Sequence, residues 1–306
     1  SQWRFVVFFT LFVILVVSLP LIYGWLIRPN DSNFTGIHFS MPNDWPVYYS
    51  YIQQAKEGEF LFKNLFASES HLPTLNIFWL AVGQLAKYFD LSPILALNLT
   101  KILLLPLFCL VAYLFFSYLF SKAINRKTAL VLLTFGSGLG MILLHHYILF
   151  PTNSTPGFFT WPMDLWVLDA TTFLTIYGSP HFIAALTLLL LIFLLSLLAA
   201  ENKNIIYSLW AGFFSLILFS FHPFEIITIF AVVTAYYFVL FFKQKKLTWF
   251  YFTHLLVLFI FSLPPIFYYK YLLINDYVTS IKAIQNVNLA TPIWITLISY
   301  GLFVIF

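Results

Sequence analysis

The side chains able to do chemistry in this chain are few, and they are gathered. Between residues 28 and 74 stand Asp31, Asp44, Glu57, Glu59, Glu69, His38 and His71, so five of the eleven acidic residues fall in one short stretch. Its middle reads Asn43-Asp44-Trp45-Pro46-Val47-Tyr48-Tyr49-Ser50-Tyr51-Ile52-Gln53-Gln54-Ala55-Lys56-Glu57-Gly58. The pattern predicts a capped, half-apolar helix, with Asn43 at the N-cap and Pro46 tolerated in the first turn. Asp44 then sits at the positive end of the helix dipole, which by itself accounts for an aspartate there. The chemical alternative is a general base, or a carboxylate that orients an acceptor, surrounded by Trp45, Tyr48 and Tyr51.

Further candidates lie along the chain. Lys101 stands inside an apolar run, where an amino group must snorkel outward, pair with a carboxylate or hold an anion. Gly178-Ser179-Pro180-His181 reads as a turn, an N-cap and a first-turn proline. Such a helix start can bind an anion through its free backbone donors, and His181 adds one more. Phe221-His222-Pro223-Phe224-Glu225 joins two apolar arms. His145-His146, Asp164 and Asp169 are placed to extend a polar cluster, and Glu69 with His71 closes the first acidic stretch. Adjacent histidines do not share a helix face, so no metal pair is expected of His145 and His146. Asn33-Phe34-Thr35, Asn98-Leu99-Thr100 and Asn153-Ser154-Thr155 are glycosylation sequons. The sequence has no phosphate-binding Walker loop, dinucleotide fingerprint, His-Glu-x-x-His or Gly-x-Ser-x-Gly, which removes the activities those motifs serve.

The elements that must position these residues are membrane spans. Hydrophobic residues make up 61% of 306 positions and charged residues 8%, with a mean hydropathy of +0.92. Soluble chains carry about a quarter charged residues. The net charge of +4 falls in short basic clusters between apolar runs, a sign of topology and not of nucleic-acid binding. The single cysteine, Cys109, lies in an apolar run and leaves no intrachain disulfide. Apolar runs at 5–27, 93–120, 128–149, 181–200, 205–221, 225–242, 247–268 and from 293 onward predict an all-α polytopic protein, a single transmembrane domain over 1–306. Seven spans are complete, and an eighth is cut short in a chain that reads as C-terminally truncated. Arg4, Lys122, Arg126, Lys127, Lys203, Lys243, Lys245 and Lys246 then share the cytoplasmic side with the N-terminus. This holds only if 75–88, about 21 Å of helix, stays on the outer surface. The first extracytoplasmic loop therefore runs over 28–92. The arms 205–221 and 225–242 leave almost nothing for a turn, so the His222–Glu225 tip is expected to be recessed, lining a cavity.

The order of one span, a large outer loop whose surface helices carry Asp44, a further surface helix and Lys101 in the next span resembles the GT-C class of integral membrane glycosyltransferases. That class includes the protein O-mannosyltransferases and the aminoarabinose transferases of lipid A. The resemblance covers roughly the first 120 residues and implies a GT-C-like fold that transfers a sugar, on the outer face, from a polyprenyl-phosphate-type lipid donor. It implies Asp44 as catalytic base and Lys101 as a partner of the donor phosphate, to which the helix start at His181 adds a second phosphate contact. His222, Glu225, His71, Glu69, Asp164 and Asp169 are candidates to line the cavity. Many members carry a carboxylate pair where this loop has Asn43-Asp44, so no metal ligand is assigned, though the class leaves room for a divalent metal. The expected partners are a lipid-linked sugar donor and membrane lipids, with the acceptor unnamed. The alternatives are a transporter or flippase of lipid-linked sugars and a non-catalytic membrane scaffold.

Overall fold

The computed structural model describes residues 2–37, 43–69, 71–149, 161–165, 167–246, 248–285 and 291–301. His38, the sequon at 153–155, the His146 side chain and the residues after 301 lie outside this description. In chain order the helices are α1 (Gln2–Leu26), α2 (Asp44–Glu57), α3 (Ile77–Tyr88), α4 (Pro93–Leu119), α5 (Ala123–Phe135), α6 (Gly140–Leu149), α7 (Thr172–Tyr177), α8 (Pro180–Asn202), α9 (Ile205–Phe219), α10 (Glu225–Gln244), α11 (Trp249–Asn275), α12 (Tyr277–Gln285) and α13 (Ile293–Tyr300). Two 3-10 turns, Met163–Leu165 and Leu168–Ala170, precede α7. No β-strand occurs among the described residues, only an isolated antiparallel bridge between Phe62 and Thr74.

Among the described residues, six stretches are long and apolar enough to cross a membrane: Gln2–Leu26, Pro93–Leu119, Ala123–His145, Pro180–Asn202, Glu225–Gln244 and Trp249–Asn275. The architecture is that of an all-α integral membrane protein. Helix α9 has 15 residues, about 22 Å at 1.5 Å each against about 30 Å of hydrocarbon. It falls short of a full crossing by its own length. The third stretch, expected as one continuous span, breaks at 136–139. The sequence there is Gly-Ser-Gly-Leu, and α13 lies against it: Leu139 N–H donates to the Ile298 carbonyl at 2.8 Å. A Cβ on Gly138 would collide with the Ser299 backbone. Broken backbone survives in such a place because protein satisfies it.

Three packed cores hold the molecule. On the water side, α2 lies across α3 and the start of α4, burying Trp45, Ile52, Ala55, Trp79, Val82, Ala86 and Leu97. Spacings of three and four put Trp79, Val82, Gly83 and Ala86 on one face of α3. At Gly83 the crossing is close enough that a Cβ would strike Ala55. With 12 residues, α3 is about 18 Å long and cannot cross. Among the spans, α1, α4, α5, α7 and α8 form a second core and α8 to α11 a third. The latter uses small residues where helices approach, including Ala211 and Gly212 of α9, with Gly212 against the Phe261 ring. Between spans, burying apolar surface gains little over lipid, so close packing of small residues holds helices together.

Candidate functional site

The site begins at the first residue of α2. Asn43 is helical at φ −78°, ψ −21° and makes no side-chain cap bond, so the N-cap expected of it does not form. Asp44 opens the helix half-buried. Burial pushes its carboxyl above the usual aspartate range, and the Lys282 charge from α12 pulls it partly back. One turn further on, Tyr48 stacks on Trp79 at 4.7 Å between centroids and meets the His181 ring edge-on at 5.0 Å. Burial raises the Tyr48 hydroxyl pKa far above the ordinary phenol, and the charges of Asp44, Tyr51 and Asp169 add to the effect. The charges of Asp44 and Asp169, 125 positions apart in the numbering, thus both act on one tyrosine.

The opposite wall comes from α8 and the α9–α10 tip. His181 is 9% exposed and enclosed by the rings of Tyr48, Phe78, Trp79 and Phe182. Its Nδ1 is 2.8 Å from Ser179 Oγ. The serine hydroxyl makes no N-cap bond to α8; it holds the imidazole and leaves Nε2 for a ligand. The His222 ring lies 5.3 Å from that of His181. At the tip, His222 N–H donates to the Leu218 carbonyl at 2.8 Å, and the Tyr269 hydroxyl donates to the Ser220 carbonyl at 2.9 Å. The non-helical backbone is thereby satisfied within the protein. Burial drives His222 down to about 4, so the ring is neutral near pH 7. Its Nδ1 and one carboxylate oxygen of Glu225 are buried with no hydrogen-bond partner. Asp169 also acts electrostatically on Glu225, as it does on Tyr48.

Lys101 lies behind this cluster, eight residues into α4 and thus about 12 Å along the helix from its start. It does not snorkel. The side chain is 7% exposed, and Nζ donates to the Tyr177 carbonyl at 2.8 Å. Nζ also stands 5.6 Å from the Trp45 ring centroid and 5.8 Å from that of Tyr177. A cation beside two ring faces is stabilised by roughly 0.5–2 kcal/mol per face. The lysine lines a cavity of about 110 Å³ between α1, α4 and the chain at 34–37, with Ser18, Asn98 and Tyr177 in its wall. A wider groove of about 810 Å³ bearing Arg28, Asn30, Ser32 and Asn33 shares Leu21, Phe34 and Asn98 with it. Trp45, 2% exposed, lies between the lysine and the face that begins at Asp44.

The chain matches no family model, no curated protein and no solved structure. The argument for a site therefore rests on its own geometry.

That geometry brings His181 and His222 together, with Tyr48 of the Asp44 helix against His181, holds Lys101 against the neighbouring Trp45 ring, and engages three other candidates elsewhere. Asp164 does not join: its Oδ2 accepts from Gly140 N–H at 3.1 Å and from Ser137 at 3.4 Å, so it serves the start of α6. His71 and Glu69 belong to a loop lock. His71 Nε2 accepts from Asn64 N–H at 2.9 Å, while Nδ1 bonds to the Glu69 carbonyl at 2.9 Å. Leu72 N–H donates to Asp276 at 2.8 Å and Leu75 N–H to the Tyr268 hydroxyl at 2.6 Å, which ties that loop to α11. The sequence reading missed Lys282 and the Tyr177 carbonyl. Lys282 sits on the short amphipathic α12, a signal that existed but named no partner. Among the described residues, no group of three or more His, Cys, Asp and Glu is arranged to hold a metal ion.

Proposed function

We propose that the chain is a GT-C-type membrane glycosyltransferase, with the N-terminus in the cytoplasm and the Asp44 cluster on the extracytoplasmic side. In this reading Asp44 takes the proton of an acceptor hydroxyl while that oxygen attacks the anomeric carbon of a lipid-linked sugar. The bond from that carbon to the phosphate oxygen breaks, and the lipid phosphate leaves with the electron pair. Lys101 and Nε2 of His181 receive its negative charge. A carboxylate whose burial raises its proton affinity is a better base than a solvated aspartate. The observation that carries the reading is the Tyr48 ring, one turn from Asp44, edge-on to His181 at 5.0 Å, with a buried lysine 5.6 Å from the ring of Trp45, the residue next to Asp44.

The test is Asp44→Asn in membranes supplied with a radiolabelled polyprenyl-phosphate sugar. The expected outcome is loss of transfer by about 10²-fold or more at equal expression. Undiminished transfer would sink the base role. A second reading, a transporter of lipid-linked sugars, draws on the unpartnered buried atoms of His222 and Glu225, since ionisable groups of that kind serve proton coupling. It predicts flux of the labelled lipid across sealed vesicles with no transfer to any acceptor.

A further inference from the structure

At the ends of α10 and α11 remote from the His222–Glu225 tip, the two helices splay. They leave a groove of about 290 Å³, walled by Tyr237, Phe238 and Phe241 from α10 and by Tyr251, Phe252 and Leu255 from α11. The Tyr237 and Tyr251 rings stack at 4.6 Å, 15° from parallel, and the Tyr237 hydroxyl is buried without a hydrogen-bond partner. The outer walls are open: Phe238 is 59% and Phe252 50% exposed.

Three lysines sit where α10 ends. Lys243 is in its last turn, and Lys245, at φ +50°, ends the helix with its N–H on the Phe241 carbonyl at 2.8 Å; Lys246 follows. All three are exposed. The one ion pair found between described side chains is Lys56–Asp90, far from here in the chain. One turn, about 6 Å of helix, separates Lys245 from Phe241 in the groove wall. That is the order of the distance from a phospholipid phosphate to the start of its acyl chains.

We propose that this groove is a binding site for one anionic glycerophospholipid, its phosphate on Lys245 and Lys246 and one acyl chain along the Tyr237–Phe252 wall. The ring-lined wall calls for a hydrocarbon occupant. The lysines choose among lipids by charge, because cationic side chains at a membrane surface attract anionic headgroups and are indifferent to zwitterionic ones. An apolar helix of a partner would fill the wall equally well but would leave the lysines without a counter-charge. The site is independent of the sugar-transfer reading.

The experiment is native mass spectrometry of the full chain in neutral detergent, offered equal amounts of phosphatidylglycerol and phosphatidylcholine. The expected result is one retained lipid, with phosphatidylglycerol favoured about tenfold. A variant combining Lys243→Gln, Lys245→Gln and Lys246→Gln should remain monodisperse and bring that preference to about one. Phe252→Trp, at a half-exposed position that tolerates bulk, should reduce retention of both lipids. Equal retention of the two lipids by the unaltered chain would mean ordinary annular lipid only and would overturn the proposal. So would a preference that survives the triple lysine change.

Discussion

Two histidine clusters stand toward the two ends of α8, both buried and both packed against aromatic rings, and they differ in how their polar atoms are satisfied. At one end His181 and His222 face each other at 5.3 Å, with His222 Nδ1 and a Glu225 oxygen left without partners. At the other, His254 of α11 is fully buried and satisfied on both nitrogens: Nδ1 is 2.8 Å from Ser208 Oγ and Nε2 3.1 Å from Ser196 Oγ. Ser196 spends its own proton on the Ile192 carbonyl, so Nε2–H must donate to it and the Ser208 hydroxyl must donate to Nδ1. His254 thus pins α8, α9 and α11 together and has no capacity left for a ligand. Between these two clusters unmet hydrogen-bonding capacity is the difference, since burial and ring packing are common to both; Asp164, which serves α6 and also keeps a buried oxygen without a partner, shows that such an atom alone does not make a site.

The comparison is broken or sharpened by matched substitutions. Glu225→Gln removes charge from the unsatisfied cluster with little change of shape. We expect sugar transfer to fall by about 100-fold, with expression and melting temperature unchanged. A transfer rate within twofold of the unaltered protein would put the unmet oxygen outside the chemistry. His254→Leu should do the reverse. It leaves two buried serine hydroxyls without their partner and costs about 1–2 kcal/mol. Thermal stability should drop by several degrees while transfer per folded molecule is retained. If transfer were lost at unaltered melting temperature, the two clusters would not differ as argued.

The smallest effect concerns pH. Asp44 must be deprotonated to accept a proton, and burial raises its pKa while Lys282 lowers it. Transfer should therefore fail as pH drops through a value above that of a free aspartate, about 3.9. Lys282→Gln removes the opposing charge and should move that acid limb upward by a fraction of a pH unit, with little change of rate at high pH. A limb that stays still, or moves downward, would separate Lys282 from Asp44.

Much of the scaffold was legible because it follows from lengths. The 75–88 segment is too short to cross, and it forms a 12-residue helix, α3, packed on α2 and α4. The 205–242 hairpin has no length to spare, and α9 ends early. Lys101 was legible as a problem, an amino group inside an apolar run; its solution was not, because its partner is the main-chain oxygen of Tyr177, and any residue type supplies one of those. Asn43 and Ser179 both read as N-caps and cap nothing, since local propensity gave way to a helical backbone in one case and to His181 in the other. Asp164 and Asp169 look equivalent in sequence, five residues apart. Only the packing of α13 and α6 around the first, and of Tyr48 near the second, separates them.

The crossing at Gly138 ties an early part of the chain to a late one. The Leu139 amide is completed by the Ile298 carbonyl, which leaves the ribosome only after six further described helices longer than eight residues, α6 and α8 to α12, have been made. At about 5–20 residues per second, that interval is on the order of ten seconds or more. During it the third stretch resides in the bilayer with an open gap in its hydrogen-bond ladder. The late segment therefore acts as a latch on an early one, closing the break in the third stretch long after that stretch has been made.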